Sequence, residues 1–232
     1  MVEPGGCGCM GAVLAGGASS RMGTDKAFIV VDGEPMVLRA VRALQAAGVR
    51  RTVVVGGDEP RLKALGLETL ADDHPGEGPL GAVLTALTSL QGAGVAQRPD
   101  IVLHETGIAQ GADAAAGGSR RQATGPDFDA LVTLPCDALS PDPAVIRRLI
   151  ESFASDCAEP DGAEAEVIVP LGGGEPQWMH ALWRSSCLDA LSAAFAEGLR
   201  APRQAAQRLR IATVEVPGSV WFDDADQPEE LP

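Results

Sequence analysis

The chain has 232 residues, with 32 acidic and 18 basic side chains, a formal net charge of −14 and five scattered cysteines. This length fits a single α/β domain over residues 1–232, and the negative charge opposes binding to nucleic acid or to an anionic membrane surface. No stretch approaches the roughly 20 apolar residues that span a bilayer, and the first residues lack the pattern of a signal peptide. We therefore expect a cytoplasmic protein with reduced cysteines, monomeric or weakly homo-oligomeric, without nucleic-acid or membrane partners.

A glycine-rich turn followed by two cations comes directly after the first predicted strand, residues 11–15. The turn contains Gly16 and Gly17 and continues to Arg21 and Lys26. Glycine lets backbone N–H groups approach a phosphate closely, and the two side chains add full positive charges. Lys26 is one of two lysines in the chain. The pattern is typical of a nucleotide-phosphate loop, although its spacing is neither that of a Walker loop nor that of a dinucleotide fingerprint. An ordinary strand-to-helix turn with solvated cations is the alternative.

Apolar or β-branched runs alternate with amphipathic stretches along most of the chain. We predict strands at residues 11–15, 52–55, 68–70, 130–134, 166–170, 178–184 and 211–216. Apolar residues at helical spacing predict helices at 36–44, 80–87, 186–197 and 203–209, with Pro35 and Pro79 in the first turns of the first two. The alternation predicts an α/β fold with a Rossmann-like, mostly parallel central sheet flanked by helices.

Residues 92–126 interrupt this alternation. The segment is rich in Gly, Ala and Ser and holds one weakly apolar patch. A loop of this length is unusual inside a compact domain, so we predict a mobile insertion that the fold does not need. A lid or a partner-docking loop is the alternative.

Acidic residues follow three of the predicted strands. Asp72 and Asp73 follow the third strand, Asp137 follows the fourth, and Asp224 and Asp226 follow the last. Ligands of an open parallel sheet bind at the carboxyl ends of its strands. A carboxylate that leaves a buried strand is well placed to hold Mg²⁺, which favours a metal site at Asp137 and leaves Asp226 undecided. The alternatives are that Asp137 caps the helix after Pro141 and that the pair at 72–73 are turn residues.

Two further features are weaker. A second glycine cluster around Gly78 precedes a predicted helix, where backbone N–H groups could contact a base, a ribose or a phosphate. His180 lies in the predicted strand 178–184. We interpret it as a half-buried structural histidine, with a catalytic base as the alternative.

Taken together, four motifs resemble the molybdenum cofactor guanylyltransferases. They are LAGGASSRMGTDKA at 14–27, Asp72 ahead of Gly78-Pro79-Leu80, Leu134-Pro135-Cys136-Asp137, and FDDADQPEEL at 222–231, in the family's order. The resemblance implies a nucleotidyltransferase fold, Mg²⁺ as cofactor, and transfer of GMP from GTP to the phosphate of molybdopterin with release of pyrophosphate. It also assigns roles by position. Catalytic residues would be Arg21, Lys26 and Asp137; nucleotide contacts would come from Leu14, Ala15, Gly16, Gly17, Lys26, Asp72, Gly78 and Asp137; the metal would bind Asp137. From its own chemistry we add Asp226 as a metal ligand, since it is acidic where the family has asparagine.

The residue chemistry agrees with this assignment. Nucleotidyl transfer requires in-line alignment and dispersal of negative charge, for which a metal, a lysine and an arginine suffice. The acceptor phosphate is itself the nucleophile, so no strong general base is needed. The family's closing Asn-x-Asn-Thr-Pro stands here as Asp-Ala-Asp-Gln-Pro at 224–228. Two enzyme alternatives therefore stay open, a CTP-dependent molybdopterin cytidylyltransferase and a sugar-phosphate nucleotidyltransferase. A non-catalytic nucleotide-binding module is a third hypothesis.

Overall fold

The computed structural model describes residues 8–16, 25–92, 128–158 and 164–216. The strands are β1 Cys9–Leu14, β2 Val30–Val31, β3 Glu34–Pro35, β4 Arg51–Val55, β5 Thr69–Leu70, β6 Ala130–Pro135, β7 Val167–Gly172, β8 Glu175–Pro176, β9 Leu182–Arg184 and β10 Ile211–Glu215. The helices are α1 Met36–Ala46, α2 Glu59–Ala64, α3 Pro79–Gly92, α4 Pro143–Ala158, α5 Leu188–Ala196 and α6 Pro202–Ala205. Short 3₁₀ turns occupy Lys26–Phe28, Trp178–His180, Ser185–Cys187 and Ala206–Arg208.

The central sheet has the strand order β10-β7-β9-β6-β1-β4-β5, and β8 pairs with β7. The pairs β1–β4, β1–β6, β4–β5 and β7–β10 are parallel, whereas β9 runs antiparallel to both of its neighbours. The chain moves from β1 outward to β4 and β5, and then returns to place β6 on the other side of β1. The predicted α/β fold with a mostly parallel sheet is confirmed. The reversal of strand order at β1 creates the crevice where open α/β sheets bind ligands.

Both faces of β1 are buried, as expected for a parallel strand covered by helices on two sides. Met10 and Ala12 pack into a cluster with α3, α5 and α6, and Cys9 and Val13 pack into a second cluster with α1 and α4. The apolar stripes read from the sequence in α1 and α3 are the buried faces of those helices. Within the described residues, no helix has the length and apolarity that crossing a membrane requires.

The predicted strand over 178–184 is wrong in its first half. Trp178–His180 form a 3₁₀ turn, in which the His180 N–H donates to the Gln177 carbonyl at 3.0 Å. Strand β9 begins at Leu182, where it pairs with both β6 and β7. Residues 180–184 are buried throughout, so the segment is a tight turn that leads into a short central strand and not a strand with one exposed face.

The helix predictions differ from the structure in three places. Pro35 lies before α1, where it pairs with Val30 in a β2–β3 hairpin, whereas Pro79 is the first residue of α3 as predicted. The predicted helix 186–197 begins as a 3₁₀ turn before α5. The predicted helix 203–209 divides into the four-residue α6 and a 3₁₀ turn. Apart from residue 92, at the end of α3, the predicted insertion 92–126 lies outside the described residues.

Candidate functional site

The carboxyl end of β1 is hydrogen-bonded to the strands on both of its sides. The Ala15 N–H donates to the Val55 carbonyl at 2.9 Å, and the Cys136 N–H donates to the Leu14 carbonyl at 3.1 Å. Leu14 is aligned with Val55 of β4 and with the last residue of β6. The first residues of the glycine-rich turn therefore lie between the ends of β4 and β6.

Lys26 and Asp137 meet at this edge of the sheet. The Lys26 ammonium donates to Asp137 Oδ2 at 3.0 Å, and the side chains are 17% and 18% exposed. Lys26 opens a 3₁₀ turn whose N-cap is Asp25, and the Asp25 carboxylate accepts the Ala27 N–H at 3.1 Å. Ala27 is fully buried, so the turn is anchored to the core beneath it. The two predicted site residues are 111 positions apart in sequence and share one contact in the fold.

Asp137 does not cap the following helix. That position belongs to Asp142, whose carboxylate accepts the Ala144 N–H at the start of α4. The capping alternative for Asp137 is thus wrong, and its carboxylate faces Lys26 instead. Its neighbour Cys136 is buried, and burial raises the pKa of the Cys136 thiol, with the nearby Asp137 carboxylate adding to the effect. The thiol is therefore neutral at physiological pH and is not a nucleophile.

On the other side of β1, Gly16, Gly56 and Asp72 lie against one another, and we call these three residues the glycine edge. Gly56 has a φ of +72°, and a Cβ atom added to it would lie 3.1 Å from the Gly16 Cα. A Cβ atom added to Gly16 would lie 3.1 Å from Asp72 Oδ2. The backbones at the ends of β1 and β4 therefore approach more closely than side chains would allow.

The Asp72 carboxylate has two differently engaged oxygens. Oδ1 accepts the His74 N–H at 2.9 Å in an Asx turn and lies 3.3 Å from the Thr85 hydroxyl. Thr85, buried in α3, also accepts the Asp73 N–H at 3.1 Å. Oδ2 lies beside Gly16. The interpretation of Asp72 as a turn residue is thus correct for Oδ1, whereas Oδ2 faces Gly16.

Gly78 belongs to a turn that is held by a distant loop. Its φ is +86°, and an added Cβ atom would lie 3.2 Å from the Arg200 Cβ. The Arg200 carbonyl accepts the Leu80 N–H at 3.1 Å, and the Arg200 guanidinium donates to Glu77 at 2.8 Å. Arg200 also lies over the Phe195 ring at 4.0 Å. These contacts fix the turn that precedes α3.

Neither Thr85 nor Arg200 is among the residues predicted from the sequence. A threonine inside the apolar stripe of α3 is a detectable signal for a buried hydroxyl, because such a group needs a polar partner. Arg200 carries no comparable signal, since its role depends on a contact with residues more than 100 positions away.

His180 is buried, at 5% exposure, in the 3₁₀ turn ahead of β9. Burial lowers the pKa of His180 to about 4, so the ring is neutral at physiological pH. This agrees with a structural histidine and with deeper burial than the sequence predicted.

The structure thus places Leu14, Ala15 and Gly16 at the carboxyl end of β1, with Asp72 on one side of them and Lys26 and Asp137 on the other. Gly17, Arg21 and Asp226 lie outside the described residues. Among the described residues, no three His, Cys, Asp or Glu side chains are clustered as a metal cage. Of the two predicted metal ligands, Asp137 lies within the described residues. A single carboxylate suits Mg²⁺, which completes its coordination with phosphate oxygens and water.

The family model and the relatives that this chain resembles all point to one family. Residues 11–212 match the family model described as "MobA-like NTP transferase domain". A probable molybdenum cofactor guanylyltransferase of Opitutus terrae is 44% identical over 84 residues, which cover 36% of this chain and 42% of that protein. A protein of the same name from Methanothermobacter thermautotrophicus is 25% identical over 238 residues, which cover 95% of each chain.

The fold also matches a solved structure. Molybdopterin-guanine dinucleotide biosynthesis protein A from Archaeoglobus fulgidus aligns with a TM-score of 0.61 at 19% identity, covering 96% of this chain and 94% of that one. At this identity the match establishes a shared fold. The family model covers well over half of the chain and confirms the resemblance predicted from the motifs. The chain therefore belongs to the MobA-like NTP transferase family.

Proposed function

We propose that this protein transfers GMP from GTP to the phosphate of molybdopterin and releases pyrophosphate, in the cytoplasm and with Mg²⁺ as cofactor. The observation that carries the proposal is the 3.0 Å contact between Lys26 and Asp137 at the strand end next to the glycine-rich turn. A cation and a metal-binding carboxylate at one strand end are what a triphosphate requires. The names of the relatives in Opitutus and Methanothermobacter support the choice of nucleotide and acceptor.

Backbone and side chains would divide the work of binding. The backbone of Leu14, Ala15 and Gly16, with Gly17 beyond it, would line the nucleotide, and it could approach closely because Gly16 and Gly56 carry no side chain. Asp72, through Oδ2, and the turn at Gly78 would hold the nucleoside. Both are preset by hydrogen bonds to the rest of the fold, so little ordering is required when the ligand binds.

Charge stabilisation would come from Lys26, Arg21 and Asp137. Lys26 would donate to the phosphates, and Arg21 would neutralise the departing pyrophosphate. Asp137, with Asp226 as a candidate second ligand, would hold Mg²⁺, which supplies Lewis-acid stabilisation of phosphate charge when it is bound. The molybdopterin phosphate oxygen would attack the α-phosphorus in line. The described residues therefore need to align and neutralise the reactants, and not to remove a proton.

The Lys26–Asp137 pair would change partners when substrate binds. In the nucleotide-free protein each side chain neutralises the other in a partly exposed position. A metal–nucleotide complex offers a cation to Asp137 and phosphate oxygens to Lys26. The complex would therefore replace one ion pair by two without leaving a buried charge unpaired.

A panel of nucleotides tests the reaction. We would measure pyrophosphate release with each of the four NTPs, with and without molybdopterin, in Mg²⁺. We expect turnover with GTP that requires molybdopterin. Turnover with CTP alone would replace the proposal with the cytidylyltransferase alternative, and turnover on a sugar phosphate would replace the acceptor.

The substitution Asp137→Asn separates an enzyme from a binding module. We expect at least about a 10²-fold loss in kcat, the size seen when one strong electrostatic stabiliser is removed. Asp142→Asn is the matched control, because it removes one nearby charge while asparagine still caps α4. If the wild type binds GTP without turnover and Asp137→Asn leaves that binding unchanged, the non-catalytic module is the better description.

A further inference from the structure

Arg39 of α1 holds two separate chain segments together. Its guanidinium donates to the Val31 carbonyl at 3.1 Å and to Asp32 Oδ2 at 2.8 Å. It also donates to the Leu139 carbonyl at 2.9 Å. The Arg39 side chain is 19% exposed and its two bonds to carbonyl groups are partly buried, whereas the Asp32 side chain is 77% exposed. One planar group thus fixes the relative position of residues about 100 positions apart in sequence.

Each segment continues from one member of the Lys26–Asp137 pair. Leu139 lies two residues after Asp137, and Val31 lies five residues after Lys26. Val31 and Asp32 belong to the β2–β3 hairpin, in which Asp32 has a φ of +51° and Gly33 a φ of +83°. Two consecutive positive φ angles are typical of a tight type I′ hairpin turn. The hairpin is therefore a stiff extension of the turn that carries Lys26.

An apolar patch joins the same two segments. Val31 and Met36 are buried together, with Ile29 and Leu139 packed against them. Apolar packing is not directional, so it would tolerate a sliding movement between the segments. A guanidinium bonded to two carbonyls and a carboxylate specifies direction and distance. A substitution at Arg39 removes the hydrogen bonds and leaves the apolar patch, so it separates what each interaction contributes to the relative position of the two segments.

We propose that Arg39 is a positioning residue for the reaction: it sets the distance between Lys26 and Asp137 by tying the hairpin that follows the first to the loop that follows the second. The inference rests on the proposed function of that pair. Arg39 itself would touch neither nucleotide nor acceptor. Its effect is on geometry. A reacting group displaced by about 1 Å from its aligned position costs up to about 10²-fold in rate.

Arg39→Gln, Arg39→Lys and Arg42→Gln form a matched series for the test. Arg42 lies one turn further along the same helix, is 64% exposed and pairs with Glu34 of β3. Lysine at position 39 keeps the charge and the aliphatic stem but not the planar fork. The Arg39→Lys variant also keeps the test informative if Arg39→Gln does not fold.

The variants would be compared by crystal structure and by steady-state kinetics, at a temperature where circular dichroism shows them folded. In Arg39→Gln we expect the Lys26–Asp137 contact to be lost and kcat to fall by about 10- to 100-fold, with a smaller change in KM for GTP. Arg39→Lys is expected to lie between this variant and the wild type. Arg42→Gln should keep both the contact and kcat.

Three other results would contradict either the role of Arg39 or the proposed function. If Arg39→Gln and Arg39→Lys keep the contact, or lose it without losing rate, the positioning role is overturned. An equal loss in Arg42→Gln would also overturn it, because the effect would then not be specific to the hydrogen bonds that Arg39 makes to Val31 and Leu139. If the wild type shows no guanylyl transfer, the proposed function fails, while the crystallographic comparison still decides whether Arg39 sets the distance.

Discussion

The Lys26–Asp137 pair and the glycine edge border the same end of β1 but are built differently. The pair is made by two charged side chains that are partly exposed. The glycine edge is made by backbone, since Gly16 and Gly56 are in contact without side chains and Asp72 is fixed by the Asx turn and Thr85. From this comparison we expect a bound ligand to rearrange the charges at this site and to leave the shape of the backbone unchanged. Substitutions in the pair should change rate, and substitutions in the glycine edge should change stability and binding.

The largest effect should follow Lys26→Gln. We expect kcat to fall by about 10²–10³-fold, because a donor aimed at developing phosphate charge is removed. The same change should tighten Mn²⁺ binding to the nucleotide-free protein, since the ammonium no longer competes at Asp137 Oδ2. Electron paramagnetic resonance of free Mn²⁺ measures the second quantity.

Lys63→Gln is the control for this variant. It is the chain's other lysine, 63% exposed and paired with Glu59 on α2. It should change neither quantity. Equal Mn²⁺ affinity in the wild type and in Lys26→Gln would show that Lys26 and the metal do not share a site.

The next largest effect is on the stability of the fold. It comes from His180, which belongs neither to the Lys26–Asp137 pair nor to the glycine edge. The pKa of His180 is about 4 in the fold against about 6.5 in an unfolded chain. Between these values the unfolded state binds more protons, so stability falls as pH falls through the window from 6.5 to 4. From pH 7 to pH 5 this single group should cost about 2 kcal/mol.

Urea denaturation at pH 7 and pH 5 measures this loss, with His180→Gln as reference. The variant should lose less stability over the same interval, whatever its absolute stability at pH 7. If the wild type and the variant have the same pH slope, the histidine titrates normally and acid sensitivity must be assigned elsewhere, including to the charges of the crevice.

A smaller effect should distinguish two adjacent carboxylates. Asp72→Asn should raise KM for GTP by about tenfold, the size of one lost charge-assisted hydrogen bond. Asp73→Asn should leave KM near the wild-type value, because Asp73 contributes its backbone N–H to Thr85. Initial-rate measurements over a range of GTP concentrations test both variants. Equal effects would mean that the nucleoside senses the net charge of this loop and not the Asp72 carboxylate.

The sequence predicted the fold and the two sides of the site only in part. The order of elements and the strand-end position of Asp137 follow from local patterns, because burial imposes a periodicity that one sequence displays. The helix stripes of α1 and α3 were readable for the same reason. By contrast, the links made by Arg39 and Arg200 depend on contacts across 100 or more positions. Arginine is common on surfaces, so nothing local distinguishes these two from solvated side chains. The strand predicted over 178–184 includes the 3₁₀ turn Trp178–His180, because a run of apolar residues around a histidine does not distinguish such a turn from a strand.

The smallest effect should come from the shape of the glycine edge, and two glycines with nearly equal backbone angles isolate it. Gly56 and Gly66 have φ angles of +72° and +75°, so alanine is similarly strained at both. A Cβ atom at Gly66 would have no described neighbour within 4 Å, whereas one at Gly56 would press on Gly16. Gly56→Ala should therefore be about 1 kcal/mol less stable than Gly66→Ala by urea denaturation, at the low end of overpacking costs. It should also raise KM for GTP while Gly66→Ala does not, because the displaced Gly16 is the backbone that the nucleotide would approach. If the two variants are equally stable and bind GTP equally, the edge yields to a methyl group, and shape at this site is no more fixed than charge.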